Sequence, residues 1–243
     1  MKKIVILTLG LVVFFSIDLY AQKDRIIYQE NFDKNKLHFG YYLGLNQKSF
    51  IIKYDPINSS VPINSLNEDY IVVEESLGFN IGLVVDYKLH DNINLRFEPG
   101  LSSNTKNLTF SPDIVTVAAD NEREVPGTYL RLPLLLKFST NRLDNMRAFI
   151  IGGVSYDYNF SSNQKNTQDN ETGNQFRMKT SNFMYEVGVG VDIYLMWFKF
   201  SPSIRGIFAI NNELVPDDSS SSPYTSPINY LGTRGVFINF TFE

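Results

Sequence analysis

From Asn182 to Leu195 the chain alternates without a break. Tyr185, Val187, Val189, Val191 and Ile193 fall on one side, and Glu186, Gly188, Gly190, Asp192 and Tyr194 on the other. A period of two puts successive side chains on opposite faces of an extended strand, whereas a helix would scatter them around its axis. The same pattern recurs along the chain. Leu37, Phe39, Tyr41, Leu43 and Leu45 alternate with His38, Gly40, Tyr42, Gly44 and Asn46. Phe79 through Leu89 alternate with Asn80 through His90 and, after the turn pair Asp91-Asn92, a partner strand begins at Ile93. Strands are expected at 37–54, 77–90, 93–110, 128–138, 148–160, 182–195, 198–210 and 234–242, eight in all.

The connections carry as much information. They run 55–76, 91–92, 111–127, 139–147, 161–181, 196–197 and 211–233, so long and short take turns. Antiparallel neighbours joined this way collect every long loop at one end. An even number of strands returns both termini to the other end, as in outer-membrane barrels with long extracellular loops and short periplasmic turns. The fold class expected is all-β: an eight-stranded antiparallel transmembrane β-barrel over residues 37–243, after a short periplasmic segment at 22–36.

A soluble sandwich or barrel also alternates, so the content of the polar face has to decide what lies outside. That face carries Gly40, Gly44, Gly82, Gly100, Gly188 and Gly190. It also carries Asp86, Glu98, Asp157, Glu186 and Asp192 against Lys88, Arg96, Arg131, Lys137, Lys199 and Arg205. Small residues and near-balanced charge suit the inside of a narrow tube. Eight strands leave an interior that side chains just fill, and an unpaired ion there would cost several kcal/mol. These eleven charges are therefore expected to form one connected network in a plugged lumen. Trp197, Phe198, Phe240 and Phe242 fall where one aromatic girdle belongs, and Tyr156, Tyr158 and Phe160 where the other does. Pro99, Pro133 and Pro202 each remove a ladder donor, so bulges are expected there. The first strand shifts phase near Asn46–Phe50, and its upper half is expected to rise above the membrane.

The chain opens with Lys2 and Lys3, an apolar run from Ile4 to Ile17, and Ala21, the order of a secretory signal peptide at 1–21. The run is short for a helical span, which needs about 20 apolar residues. Loss of that segment would leave 222 residues with 20 basic and 25 acidic side chains. That balance does not favour nucleic acid. With no cysteine there is no disulfide, thiolate nucleophile or lipid-modified Cys. Only His38 and His90 are available for histidine chemistry, and no phosphate-cradling glycine motif precedes a helix. Glu68, Asp69, Glu74 and Glu75, and again Asp217 and Asp218, offer oxygen ligands that suit calcium, though solvated loop charge is the plainer reading. No enzymatic activity, cofactor, metal or small-molecule substrate is expected.

The segments Asn94–Gly100 (NLRFEPG), Leu132–Phe138 (LPLLLKF), Ile151–Tyr156 (IGGVSY), Gln175–Lys179 (QFRMK) and Lys199–Asn212 (KFSPSIRGIFAINN) resemble the PorT family, also called SprT, of Bacteroidetes outer-membrane barrels. The resemblance runs from about Phe39 to the end. It implies a non-enzymatic component of the type IX secretion system, which exports cargo across the outer membrane and supports gliding in motile species. Other secretion components and outer-membrane lipid would be its partners. No residue role is carried over. The alternative is a stand-alone structural or small-solute barrel.

Overall fold

A computed structural model describes residues 26–54, 70–111, 121–165, 176–217, 222 and 224–243. The expected signal peptide, Glu68, Asp69 and Asp218 lie outside these. The elements are a 3-10 turn (Phe32–Lys34), then β1 (Leu37–Tyr54), β2 (Ile71–Glu75), β3 (Leu77–His90), β4 (Ile93–Phe97), β5 (Gly100–Ser103), β6 (Lys106–Phe110), β7 (Glu122–Val125), β8 (Thr128–Ser139), β9 (Met146–Asn159), β10 (Ser181–Tyr194), β11 (Lys199–Ala209) and β12 (Ile228–Phe242).

Eight antiparallel strands close into a ring. From β1 the order runs through β12, β11, β10, β9 and β8 to β4 with β5, then β3, and β3 pairs back onto β1. Closure leaves no unpaired edge within the ring, the condition for placing a sheet in hydrocarbon. β4 and β5 are one strand interrupted at Glu98-Pro99. Phe97 faces Val85 and Gly100 faces Gly82 on β3, and the same two residues face Leu134 and Arg131 on β8, so the register is unchanged across the break.

The bulges expected at the prolines are therefore absent. Pro133 stays in register opposite Ser155, and Pro202 opposite Phe240. Each proline forfeits one N–H only. The Pro133 carbonyl still accepts from Glu98 N at 3.2 Å, and the Pro99 carbonyl from Leu83 N at 2.9 Å. The register shifts that do occur lie at strand ends, between Lys53 and Tyr54 and between Lys88 and His90. The pairing of β1 with β12 is unshifted from Tyr41 opposite Phe242 to Lys53 opposite Tyr230, but Lys48, Ser49 and Phe50 are all buried, so the alternation of faces lapses where the change of phase is read.

The ring is inside out relative to a water-soluble barrel. Leu43, Phe79, Leu83, Leu136, Val154, Val187, Val189, Ile204 and Ile238 point outward and are exposed, while Asp86, Arg96, Lys137, Asp192 and Arg205 are buried inside. A continuous apolar belt with a charged interior needs lipid around it. Aromatic pairs mark the belt's edges. At the end carrying the termini, Phe242 meets Tyr41 (5.2 Å), Phe200 (5.3 Å) and Phe198 (5.8 Å). Toward the other end Tyr156 meets Phe183 (5.4 Å) and Tyr185 stacks on Phe208 (5.1 Å).

The long connections hold more structure than polar loops would. β2, β6 and β7 form a separate three-stranded sheet. It packs with the upper parts of β1 and β12 around Phe50, Tyr70, Leu108, Phe110, Val125, Phe176, Tyr224 and Leu231. Ordinary hydrophobic burial drives this cap, which stands on the barrel as a second core and explains why the expected third strand, 93–110, ends in β6 outside the ring.

Candidate functional site: a filled lumen closed at both ends

Glycines on the inner face make room for the large side chains. A Cβ at Gly100 would lie 2.2 Å from the Tyr42 hydroxyl, and one at Gly82 2.6 Å from the Tyr42 ring. A Cβ at Gly188 would lie 2.6 Å from Cγ of Arg205. Into the space so created the strands direct three groups of ion pairs.

The first surrounds Arg96. Its guanidinium lies 2.7 Å from Asp86, 2.9 Å from Glu243 and 3.4 Å from Glu98. Glu98 also takes two bonds from Arg205, at 2.5 and 3.0 Å, and Glu243 takes Lys199 at 2.8 Å. Three acids and three bases thus neutralise one another across the tube. In the second group Lys137 donates to both oxygens of Asp192, at 2.7 and 2.8 Å, with Ser201 donating to the same carboxylate at 2.7 Å and Arg147 at 3.5 Å. In the third, Arg131 bridges Asp157 (3.0 Å) and Glu186 and lies over the Phe237 ring at 4.5 Å. An uncharged layer joins strands elsewhere in the lumen, where Asn80 donates to Asn239 at 2.6 Å. Each charge in these three groups has an oppositely charged partner, as a dry interior demands.

Ten of the eleven charges assigned from the sequence, Asp86, Arg96, Glu98, Arg131, Lys137, Asp157, Glu186, Asp192, Lys199 and Arg205, are buried in the lumen. Two corrections apply. Lys88 does not join them: at the end of β3 it turns to Asp91 (2.8 Å) and the Asp33 carbonyl (2.9 Å), because the strand ends there. Lys88 in turn holds the Asp91 carboxyl below its usual range. The charges also form three groups in contact range where one was expected, because buried rings such as Tyr42, Phe149 and Phe237 fill the levels between them.

Three participants escaped the sequence reading. Glu243 falls on the inward phase of Asn239 and Thr241, a signal that was available. Arg147 lies one residue before the expected start of its strand, in phase with Phe149 and Ile151. Asp33 precedes the barrel altogether, and only the fold brings it to the mouth.

There residues 26–36 close the terminal end. Phe32 stacks on His38 with centroids 4.0 Å apart, and the Lys199 ammonium sits 4.5 Å from its ring centre. Asp33 accepts from the Tyr194 hydroxyl at 2.8 Å. A pocket of about 10 Å³, the size of one water, remains beside them. The cap closes the other end. Its Lys106, over the Phe50 ring at 3.9 Å, has an ammonium lowered to about 8 by burial. Burial likewise raises the Glu213 carboxyl, which accepts from Thr233 at 2.7 Å. Of the calcium candidates, Glu75 accepts from Gln47 at 2.7 Å and Asp217 from Ser222 at 2.6 Å.

Residues 20–215 match the family of outer membrane protein beta-barrel domains. The chain belongs to that family. It is an outer-membrane β-barrel protein, and the outward apolar belt is its bilayer-facing surface. Among curated proteins no sequence matches it. Similar solved structures include the outer membrane protein OprG from Pseudomonas aeruginosa, at 14% identity over 85% of this chain and 95% of that one, with a TM-score of 0.46. Another is the solid-state NMR structure of outer membrane protein AlkL in DMPC bilayers, at 12% identity over 86% and 91%, TM-score 0.44. Neisserial surface protein A matches at 7% identity over 86% and 97%, TM-score 0.43.

Proposed function

We propose that this barrel is a non-enzymatic, non-conducting component that supports assembly or operation of the type IX secretion system in the outer membrane, with both termini periplasmic. The observation that carries the non-conducting reading is the double closure: ion pairs fill the lumen between a strap at one mouth and a hydrophobic cap over the other. A tube filled in this way offers no route to cargo, so a role in export would be exercised through the surfaces it presents. The secretion system itself enters through the resemblance of NLRFEPG, LPLLLKF and KFSPSIRGIFAINN to the PorT family. The alternation of long and short connections supports the orientation, since outer-membrane barrels keep short turns and termini in the periplasm.

Deleting the gene and assaying export of type IX cargo tests the reading. Loss of export restored by the wild-type gene is expected. Normal export in the deletion strain would leave the stand-alone structural barrel in its place.

A further inference from the structure

The strap is held by a groove whose grip is largely indifferent to sequence. The β8–β9 turn supplies Asn145, which accepts from Tyr28 N at 2.8 Å and donates to the Ile26 carbonyl at 2.8 Å. Arg142 donates to the carbonyls of Tyr28 and of Gln29, the latter at 3.3 Å. The Gln29 side-chain amide adds one sequence-dependent contact, donating from Nε2 to the Leu195 carbonyl at 3.0 Å in the β10–β11 turn. Main-chain capture of this kind accepts many sequences that can take up the same turn, with its 3-10 stretch at Phe32–Lys34. Specificity sits at two neighbouring side chains. Phe32 is clasped between His38 and Lys199, and Asp33 lies among Tyr194, Arg147 and Arg142.

The acidic position is incompletely served. Arg147 and Arg142 approach Asp33 only at 3.5 and 3.7 Å, and the buried Arg147 Nε has no hydrogen-bond partner. Arg142 is engaged by the strap carbonyls, so Arg147 is the guanidinium left beside a loosely fitted carboxylate, and a better-placed carboxylate would take shorter bonds from it.

We infer that the mouth at the terminal end is a peptide-binding site for a segment with an aromatic residue followed by an acidic one, occupied by the chain's own Phe32-Asp33 and exchangeable for such a segment of a partner protein. It stands on the groove's geometry and holds whether or not the barrel serves secretion.

The test uses the full mature chain folded in vesicles. A fluorescent peptide of residues 26–36 is titrated onto the F32A/D33A barrel, whose strap has lost both anchors. Saturable binding is expected, at least about tenfold tighter than that of the peptide carrying Asp33→Asn, the loss of one charge-assisted contact. Because the chain has no cysteine, a single dye at Ile27→Cys reports the wild-type strap, and excess peptide should shift its signal with saturation. Failure of the F32A/D33A barrel to bind while retaining its heat-dependent gel shift would overturn the site. Equal binding of the Asp33→Asn peptide would overturn its chemistry. An unmoved strap signal would overturn the exchange.

Discussion

Replacing Arg96 by Met tests the lumen directly, because its three acidic neighbours are not equally dependent on it. Glu243 would keep Lys199 at 2.8 Å and Glu98 would keep Arg205 at 2.5 Å. Asp86 would keep only the amide of Asn94, with no cation within ion-pair distance among the described residues. One buried carboxylate stranded in this way costs about 3–5 kcal/mol. The converse change, Asp86→Asn, leaves Arg96 with Glu243 and Glu98 and retains an oxygen for its Nε, so about 1 kcal/mol is expected. The double variant strands nothing and should be more stable than Arg96→Met alone, with a coupling of about 1–3 kcal/mol. Unfolding in urea from lipid vesicles, followed by Trp197, the chain's only tryptophan, and by heat-dependent gel mobility, supplies the four free energies. Additivity within about 0.5 kcal/mol, or equal costs for the two single variants, would refute the assignment of Arg96 as the hub that neutralises Asp86.

Val189→Arg on the lipid face should destabilise by about 2–4 kcal/mol, whereas Tyr185→Arg in the aromatic belt should cost about 0–1; equal tolerance in the same unfolding assay would contradict the membrane placement of β10. Gly100→Ala should cost about 1–3 kcal/mol by driving a methyl group into the Tyr42 hydroxyl, and Tyr42→Phe should recover part of that loss. Phe110→Ala, which removes a ring packed against Tyr70, Phe176 and Tyr224, should cost the cap about 3–5 kcal/mol. Limited proteolysis should then cut the cap while the barrel keeps its gel shift. In planar bilayers the purified protein should give no stable single-channel steps.

The inner and outer faces of the ring were legible because lipid and a narrow lumen impose opposite chemistries on alternate residues. β1 and β3 fall at the residues read from the pattern, 37–54 and 77–90, and Val187 and Val189 alternate with Glu186 and Gly188 as they do in the fold. The start of β12 was placed at 234, six residues late, because Ile228 and Leu231 turn to the cap and Leu231, Gly232 and Thr233 are buried in succession, so the segment obeys no lipid-facing alternation. The prolines were read as sites of bulges, yet losing one N–H in a closed ring shifts no register when both flanking strands hold it.

What the sequence determined by itself is local: the period of two, the order of long and short connections, and the sorting of charge and glycine to one face. Those follow from covalent alternation and the cost of desolvation at each position, and need no knowledge of distant partners. Tertiary structure decided which charge meets which, the rise of an apolar-cored cap from connections that read as polar, and the return of Asp33 to Arg147 across more than a hundred residues. Those depend on ring closure, which brings strands far apart in sequence within side-chain reach and sets the level at which each side chain ends.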